Sequence, residues 1–318
     1  MRFIELILFN KPSGGNIQLK ALTNKLSAGE KIIEIKLFNN KRINIKGICH
    51  LLYRIIFLIF TKGSTIIYTD PILSFLEVIP KSGNIIRFIQ SVDELVYKDN
   101  PKLNKFSQNF ISKYIKFMTK TGKNKIYVCS YVCKQYIEKY SRIYFFTKPT
   151  LNLIKVDQKL SRQKKSNQII SIMSNPYLKG IEILKRIALD FDNYEFLIIT
   201  SKVFDIKSSK NIKIKSPKNR FEIFEELSNS ICHISCSSKE SLGLPVYEAM
   251  AMRIPSVFMI NSSNEYLQKY NLLFFKSYQR KKFKDIFKKC ICNKEKELIL
   301  NLQDKLVREK FDFSYLNN

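Results

Sequence analysis

Apolar residues in this chain fall into short runs rich in Ile, Leu, Val and Phe. Between the runs lie longer stretches in which apolar positions recur with helical spacing. Buried parallel strands read as continuous aliphatic runs, and the helices covering them as a 3.6-residue period. Strands are therefore expected at residues 3–9, 32–38, 65–68, 85–89 and 126–129, with helices at 18–26, 48–60 and 103–119. The second half repeats the scheme, with strands at 168–173, 194–200, 211–214, 231–235, 256–260 and 272–275. Its helices are expected at 181–189, 220–229, 245–252 and 278–289, followed by a last helix at 295–309 and an aromatic tail at 311–315. Such alternation predicts doubly wound α/β sheets. Residues 148–167 are polar and basic, contain Pro149 and show no period, so they read as a linker. That places an N-terminal domain at 1–155 and a C-terminal domain at 156–318, sizes at which each buries a core of its own.

The stretch 235–255, SCSSKESLGLPVYEAMAMRIP, carries the chemistry. An apolar strand runs into a small polar loop, and a helix begins near Pro245, a residue favoured in a first helical turn. Gly243 permits close approach of a ligand, and the N–H groups of a helix start attract an anion such as a diphosphate. Glu240 in the loop and Glu248 one turn into the helix set two carboxylates about that corner. Amides for phosphate and carboxylates for hydroxyls suit a nucleotide sugar. Upstream, residues 169–184 (IISIMSNPYLKGIEIL) again run from a strand through a loop into a helix opened by Lys179 and Gly180. Near the start, Gly14 and Gly15 stand between the first strand and the first helix, where backbone can approach phosphate or acceptor.

Glu240 and Glu248, in their surround of Ser-x-Gly-Leu, Pro and Glu-Ala-Met-Ala, resemble the E-x7-E motif of retaining GT-B glycosyltransferases, in particular glycosyltransferase family 4. The resemblance implies two Rossmann-like domains facing each other across a cleft, with an N-terminal acceptor domain and a C-terminal donor domain. It implies that Glu248 holds the donor ribose, that Glu240 lies against the transferred sugar as the catalytic residue, and that amides around Gly243 and Leu244 meet diphosphate and sugar. Lys179 would neutralise donor phosphate, with Gly180 as its close-approach glycine. Where the family carries a Gly-Arg pair at the end of that strand, this chain has Met173, Ser174 and Asn175. Where many relatives carry a sugar-contacting histidine, it has Gln90, which can hydrogen-bond sugar or acceptor but cannot titrate. Catalysis would then rest on positioning and on stabilising the departing diphosphate. The implied acceptor is a hydroxyl of a glycan or lipid-linked glycan, in surface polysaccharide biosynthesis. Loss of the Gly-Arg pair and the histidine leaves a GT-B-like partner without turnover as the competing reading.

Charge and cysteines adjust this picture only at its edges. Lys+Arg number 55 against 27 Asp+Glu, a net charge of +28. The lysines are scattered, as a skewed Lys/Asn/Ile composition would scatter them, and no nucleic-acid reader motif accompanies them. Lys113, Lys116, Lys120, Lys123 and Lys125 do cluster with Tyr114, Ile115, Phe117 and Met118, which suits an anionic membrane surface or equally a solvated helix face. Seven cysteines without paired C-x-x-C spacing point away from disulfides and zinc, hence to a reduced, cytoplasmic chain, with peripheral attachment to the inner face of the cytoplasmic membrane as an option. The apolar stretch at 48–60 is too short to span a bilayer and is broken by Arg54. His50 and His233 stand in apolar runs and read as packing residues, and Asp93 and Glu94 as acids at a helix start. Asp190-Phe191-Asp192 has the D-x-D shape of a metal site but falls in a turn, so no metal or other cofactor is expected.

Overall fold

The computed structural model describes residues 2–9, 14–38, 63–69, 84–90, 105–121, 125–139, 144–154, 167–200, 210–238, 240 and 242–316, together with 53, 73 and 76. Most of the helix expected at 48–60, with Cys49, His50, Asp93 and Glu94, lies outside them. The chain divides into two compact units, Met1–Pro149 and Thr150–Asn318.

In the first unit the described strands are β1 (Arg2–Phe9), β2 (Ile32–Phe38), β3 (Ser64–Tyr68), β4 (Asn84–Ile89), β5 (Lys125–Val128) and β6 (Phe145–Phe146). They form one sheet in the order β2-β1-β3-β4-β5-β6, with all pairs parallel. The described helices are α1 (Gly14–Ser27), α2 (Lys105–Thr121) and α3 (Tyr131–Glu138). Ile4, Leu6, Ile66 and Tyr68 of β1 and β3 are almost fully buried in one cluster. Ile126 and Val128 of β5 pack with Cys133 and Ile137 of α3 in another. Ser130 caps α3 by accepting a hydrogen bond from the Cys133 N–H at 3.2 Å, which fixes where that helix starts.

The second unit contains β7 (Thr150–Ile154), β8 (Gln168–Ile172), β9 (Glu195–Ile199), β10 (Ile212–Lys215), β11 (Cys232–Ser235), β12 (Ser256–Met259), β13 (Phe274–Phe275) and β14 (Asp312–Leu316). Its helices are α4 (Ile181–Asp190), α5 (Arg220–Ser228), α6 (Leu244–Ala251), α7 (Arg280–Ile291) and α8 (Asn293–Lys310), with a 3-10 turn at Glu265–Tyr270. Its main sheet runs β10-β9-β8-β11-β12-β13, again all parallel. This is the doubly wound order in which the chain starts in the middle, winds to one edge, then returns to the centre and winds to the other. The topological switch point lies between β8 and β11, and the loops leaving their carboxyl ends open a crevice there.

Two features differ from the sequence reading. Residues 150–154, taken as linker, form β7, and part of the aromatic tail forms β14; the two pair in parallel, from Asp312 opposite Thr150 to Leu316 opposite Ile154. The physical reason is burial: Leu151 and Leu153 point inward beside Leu306, Val307 and Phe311, and the Tyr247 and Phe311 rings lie 4.5 Å apart. The first residues after Pro149 therefore belong to the second unit, six residues ahead of the boundary read from the sequence.

Candidate active site

Gly180 holds the turn from β8 into α4. It caps α4 in the left-handed region at φ 81°, and a Cβ there would lie 2.1 Å from the Cys236 carbonyl oxygen. Glycine is thus required twice, for its dihedral and for space. The preceding residues coil back on themselves: Lys179 N–H donates to the Asn175 carbonyl at 3.0 Å, and Ile181 N–H to that of Pro176 at 3.0 Å. On the neighbouring strands, Ser171 Oγ donates to the Ile234 carbonyl at 2.7 Å. The consequence is that the two loops at the switch point are pressed together. Across them the Lys179 ammonium donates to the Glu240 carboxylate, both side chains being about one-fifth exposed.

The β11–α6 loop ends at Gly243, also left-handed, at φ 72°. No side chain caps α6, and Pro245 sits in its first turn. A helix start carries N–H groups without intrahelical partners, so this one presents partial positive charge from backbone alone. Beside it is a hollow lined by Ser235, Glu240, Leu242, Gly243, Val246 and Tyr247 on one side, and by Asn261, Ser263, Asn264 and Leu267 on the other. The second wall is held by a polar network that sequence spacing did not reveal. Asn264 Oδ1 accepts from the Asn261 N–H at 2.8 Å, Asn261 Oδ1 accepts from Ser263 Oγ at 2.7 Å, and Asn261 Nδ2 donates to the Ser237 carbonyl at 2.9 Å. Asn and Ser at 261–264 are the local signal, since such residues bond backbone in turns.

Glu248 is placed differently. It is on α6, 6% exposed, and is absent from the lining of that hollow. Its carboxylate accepts a hydrogen bond from Arg220 Nη2 in an ion pair. Arg220 is the first residue of α5, whose start is fixed by Asn219 Oδ1 accepting from the Glu222 N–H at 3.0 Å. The guanidinium also lies 5.1 Å from the centre of the Phe224 ring. Burial pushes the Glu248 carboxyl above its ordinary range, and the Arg220 charge and hydrogen bond pull it back. Arg220 escaped the sequence reading because no spacing rule links it to Glu248.

In the first unit, Gly14 and Gly15 form the first turn of α1, after β1, and Gln90 follows β4 directly and is half-buried. All three stand at the carboxyl ends of strands. Asp190 closes α4, where its carboxylate accepts from the Tyr278 hydroxyl and pairs with Arg280 at 3.4 Å, while Asp192 is exposed in the turn beyond. Among the described residues no group of three His, Cys, Asp or Glu side chains could hold a metal ion. His233 is buried in β11, which pushes its imidazole down to about 3, so it is neutral at physiological pH. Among the described residues Cys129, Cys133, Cys232, Cys236 and Cys290 are buried thiols in no disulfide, and Cys292 is an exposed one. No described helix is long and apolar enough to cross a membrane.

The backbone as a whole is similar to solved glycosyltransferase structures. Sucrose-phosphate synthase from Thermosynechococcus elongatus superposes with a TM-score of 0.75 at 11% identity, covering 98% of this chain and 95% of that one. Anabaena HepE in complex with UDP and glucose gives 0.73 at 11% identity over 98% and 96%. WaaG, a glycosyltransferase involved in lipopolysaccharide biosynthesis, gives 0.71 at 10% identity over 96% and 95%. The chain has the GT-B fold. In sequence it is 24% identical, over 165 residues, to a protein provisionally named glycosyltransferase 48 of Sulfolobus islandicus filamentous virus (isolate Iceland/Hveragerdi), and it spans about half the length of that curated relative (52% of each chain). No family model matches.

Proposed function

We propose that this protein is a retaining glycosyltransferase, similar to family 4, which moves a hexose from a nucleoside diphosphate sugar to a hydroxyl of a glycan or lipid-linked acceptor in surface polysaccharide biosynthesis. The observation that carries the reading is the junction of Lys179, Glu240 and the uncapped start of α6 at the switch point of the second sheet. A diphosphate there meets one mobile cation and the N–H groups of a helix start. Glu240 holds the Lys179 ammonium when no anion does. An arriving diphosphate competes for Lys179 and leaves the Glu240 carboxylate free to accept from sugar hydroxyls. As the bond from the anomeric carbon to the diphosphate breaks, its electron pair leaves with the diphosphate. Lys179 and the amides around Gly243 and Leu244 stabilise that charge. Glu240 faces the positive charge growing on the sugar. The first unit, with Gly14, Gly15 and Gln90, serves the acceptor in this reading, and no metal takes part. The solved structure of the similar HepE fold with UDP and glucose supports a nucleotide-sugar donor.

The test is a thermal-shift screen of UDP-, GDP-, ADP- and dTDP-sugars, followed by nucleoside diphosphate release from whichever stabilises the protein. A ligand at 100 times its Kd adds about 2.7 kcal/mol, a shift of several degrees. We expect one nucleotide class to stabilise the protein and to be turned over equally with and without excess EDTA. Stabilisation without turnover supports the non-catalytic partner instead, and turnover that EDTA abolishes and Mg²⁺ restores overturns the metal-free site.

A further inference from the structure

Helix α2 carries aromatic side chains on its exposed side. Phe106, Phe110 and Phe117 are 80%, 64% and 61% exposed, and Lys105 and Lys113 are exposed with them. Ser112 is buried, and Gln108 is half-buried. At 3.6 residues per turn, Phe106, Phe110, Lys113 and Phe117 fall within a sector of about 60°. Apolar side chains scattered singly over a surface need no explanation, but three phenylalanines aligned on one outward stripe do. This stripe is not the set of residues the lysine cluster suggested from the sequence: Phe106 and Phe110 join it, and Tyr114 is half-buried.

The charge of this part of the chain bears on what the stripe can face. From residue 100 to residue 137 the chain carries eight lysines and no aspartate or glutamate. A second copy of the chain would bring the same excess of lysines to the contact, and like charges facing each other across an interface oppose association. An anionic bilayer supplies both complements, negative headgroups for the lysines and an acyl boundary for the rings. We infer that the outward face of α2 is a docking surface for an anionic membrane, into which Phe106, Phe110 and Phe117 insert. This stands on the helix alone and holds whether or not the glycosyltransfer reading does.

The chain contains no tryptophan, so Phe110→Trp introduces a single indole on this face, whose emission is read apart from that of the tyrosines. With vesicles of phosphatidylcholine containing about 30% phosphatidylglycerol, a fraction at which headgroup charge attracts basic segments, its emission should shift to the blue and be quenched by brominated acyl chains. Neither change should occur with pure phosphatidylcholine. The unmodified protein should sediment with the anionic vesicles and be released by salt, and Phe106→Ser/Phe110→Ser/Phe117→Ser should lower partitioning at least about tenfold. Circular dichroism of the triple variant checks that the loss is not unfolding, and the single Phe110→Trp variant decides the matter if it is. Emission unchanged by anionic vesicles, equal sedimentation with neutral ones, or a folded triple variant that sediments as before would each overturn the inference. A concentration-dependent dimer that the triple substitution abolishes, without vesicle binding, would assign the face to a second copy instead.

Discussion

Gly180 shows how one residue without a side chain can set the distance between the two loops at the switch point. Its left-handed dihedral and the 2.1 Å that a Cβ would leave to the Cys236 carbonyl are separate constraints, and Gly29 separates them experimentally. Gly29 is also left-handed, at φ 89°, but a Cβ there would meet nothing within 4 Å. Gly29→Ala should therefore cost only the dihedral penalty, about 1–2 kcal/mol. Gly180→Ala should cost clearly more, because its neighbour is backbone and must move, and it should part Lys179 from Glu240. Urea denaturation of the two variants measures the difference. Equal losses would mean that the two loops are not held together by this contact.

At the scale of elements, the ion pair of Arg220 and Glu248 joins the start of α5 to α6. Burial raises the Glu248 carboxyl, and Arg220 opposes that, so the arginine favours the charged form that ribose hydroxyls would meet in the proposed site. Arg220→Met should weaken UDP or GDP binding by about tenfold. Without the counter-charge Glu248 takes up its proton at higher pH than in the unmodified protein, so binding should begin to fail at higher pH as the solution is acidified. Arg220→Lys should restore the pH profile in part. Calorimetry across the neutral to acidic range checks this, and an unchanged profile in Arg220→Met would make the pair structural only. The same scale shows what sequence pattern can reach. The strand expected at 168–173 is β8 at Gln168–Ile172, and the helix expected at 181–189 is α4 at Ile181–Asp190, since each declares itself through its own local periodicity. The pairing of β7 with β14 has no local sign, because it depends on strands at opposite ends of the second unit burying Leu151 and Leu153 together. Within the candidate site, Gly180 and Gly243 stand out in the sequence as close-approach positions and their left-handed backbone is seen only in the fold, whereas Arg220 and the Asn261 network depend on contacts made only in the folded unit.

For the molecule as a whole, two parallel sheets, each with its own core, carry the features that matter on the carboxyl ends of their strands. If the carboxyl ends of the second sheet form the proposed nucleotide-sugar site, the protein binds a free nucleoside diphosphate. Titration calorimetry with UDP, GDP, ADP and dTDP should show binding of one of them to the unmodified protein. Glu248→Gln should weaken it by roughly ten- to a hundredfold, the loss of a charged hydrogen bond to a ribose. Glu240→Gln should bind as well or more tightly, because the carboxylate that competes with phosphate for Lys179 is gone, while donor turnover by that variant falls steeply. An unmodified protein that binds none of the four, or two variants that bind the nucleotide with the affinity of the unmodified protein, would contradict a nucleotide-sugar site here.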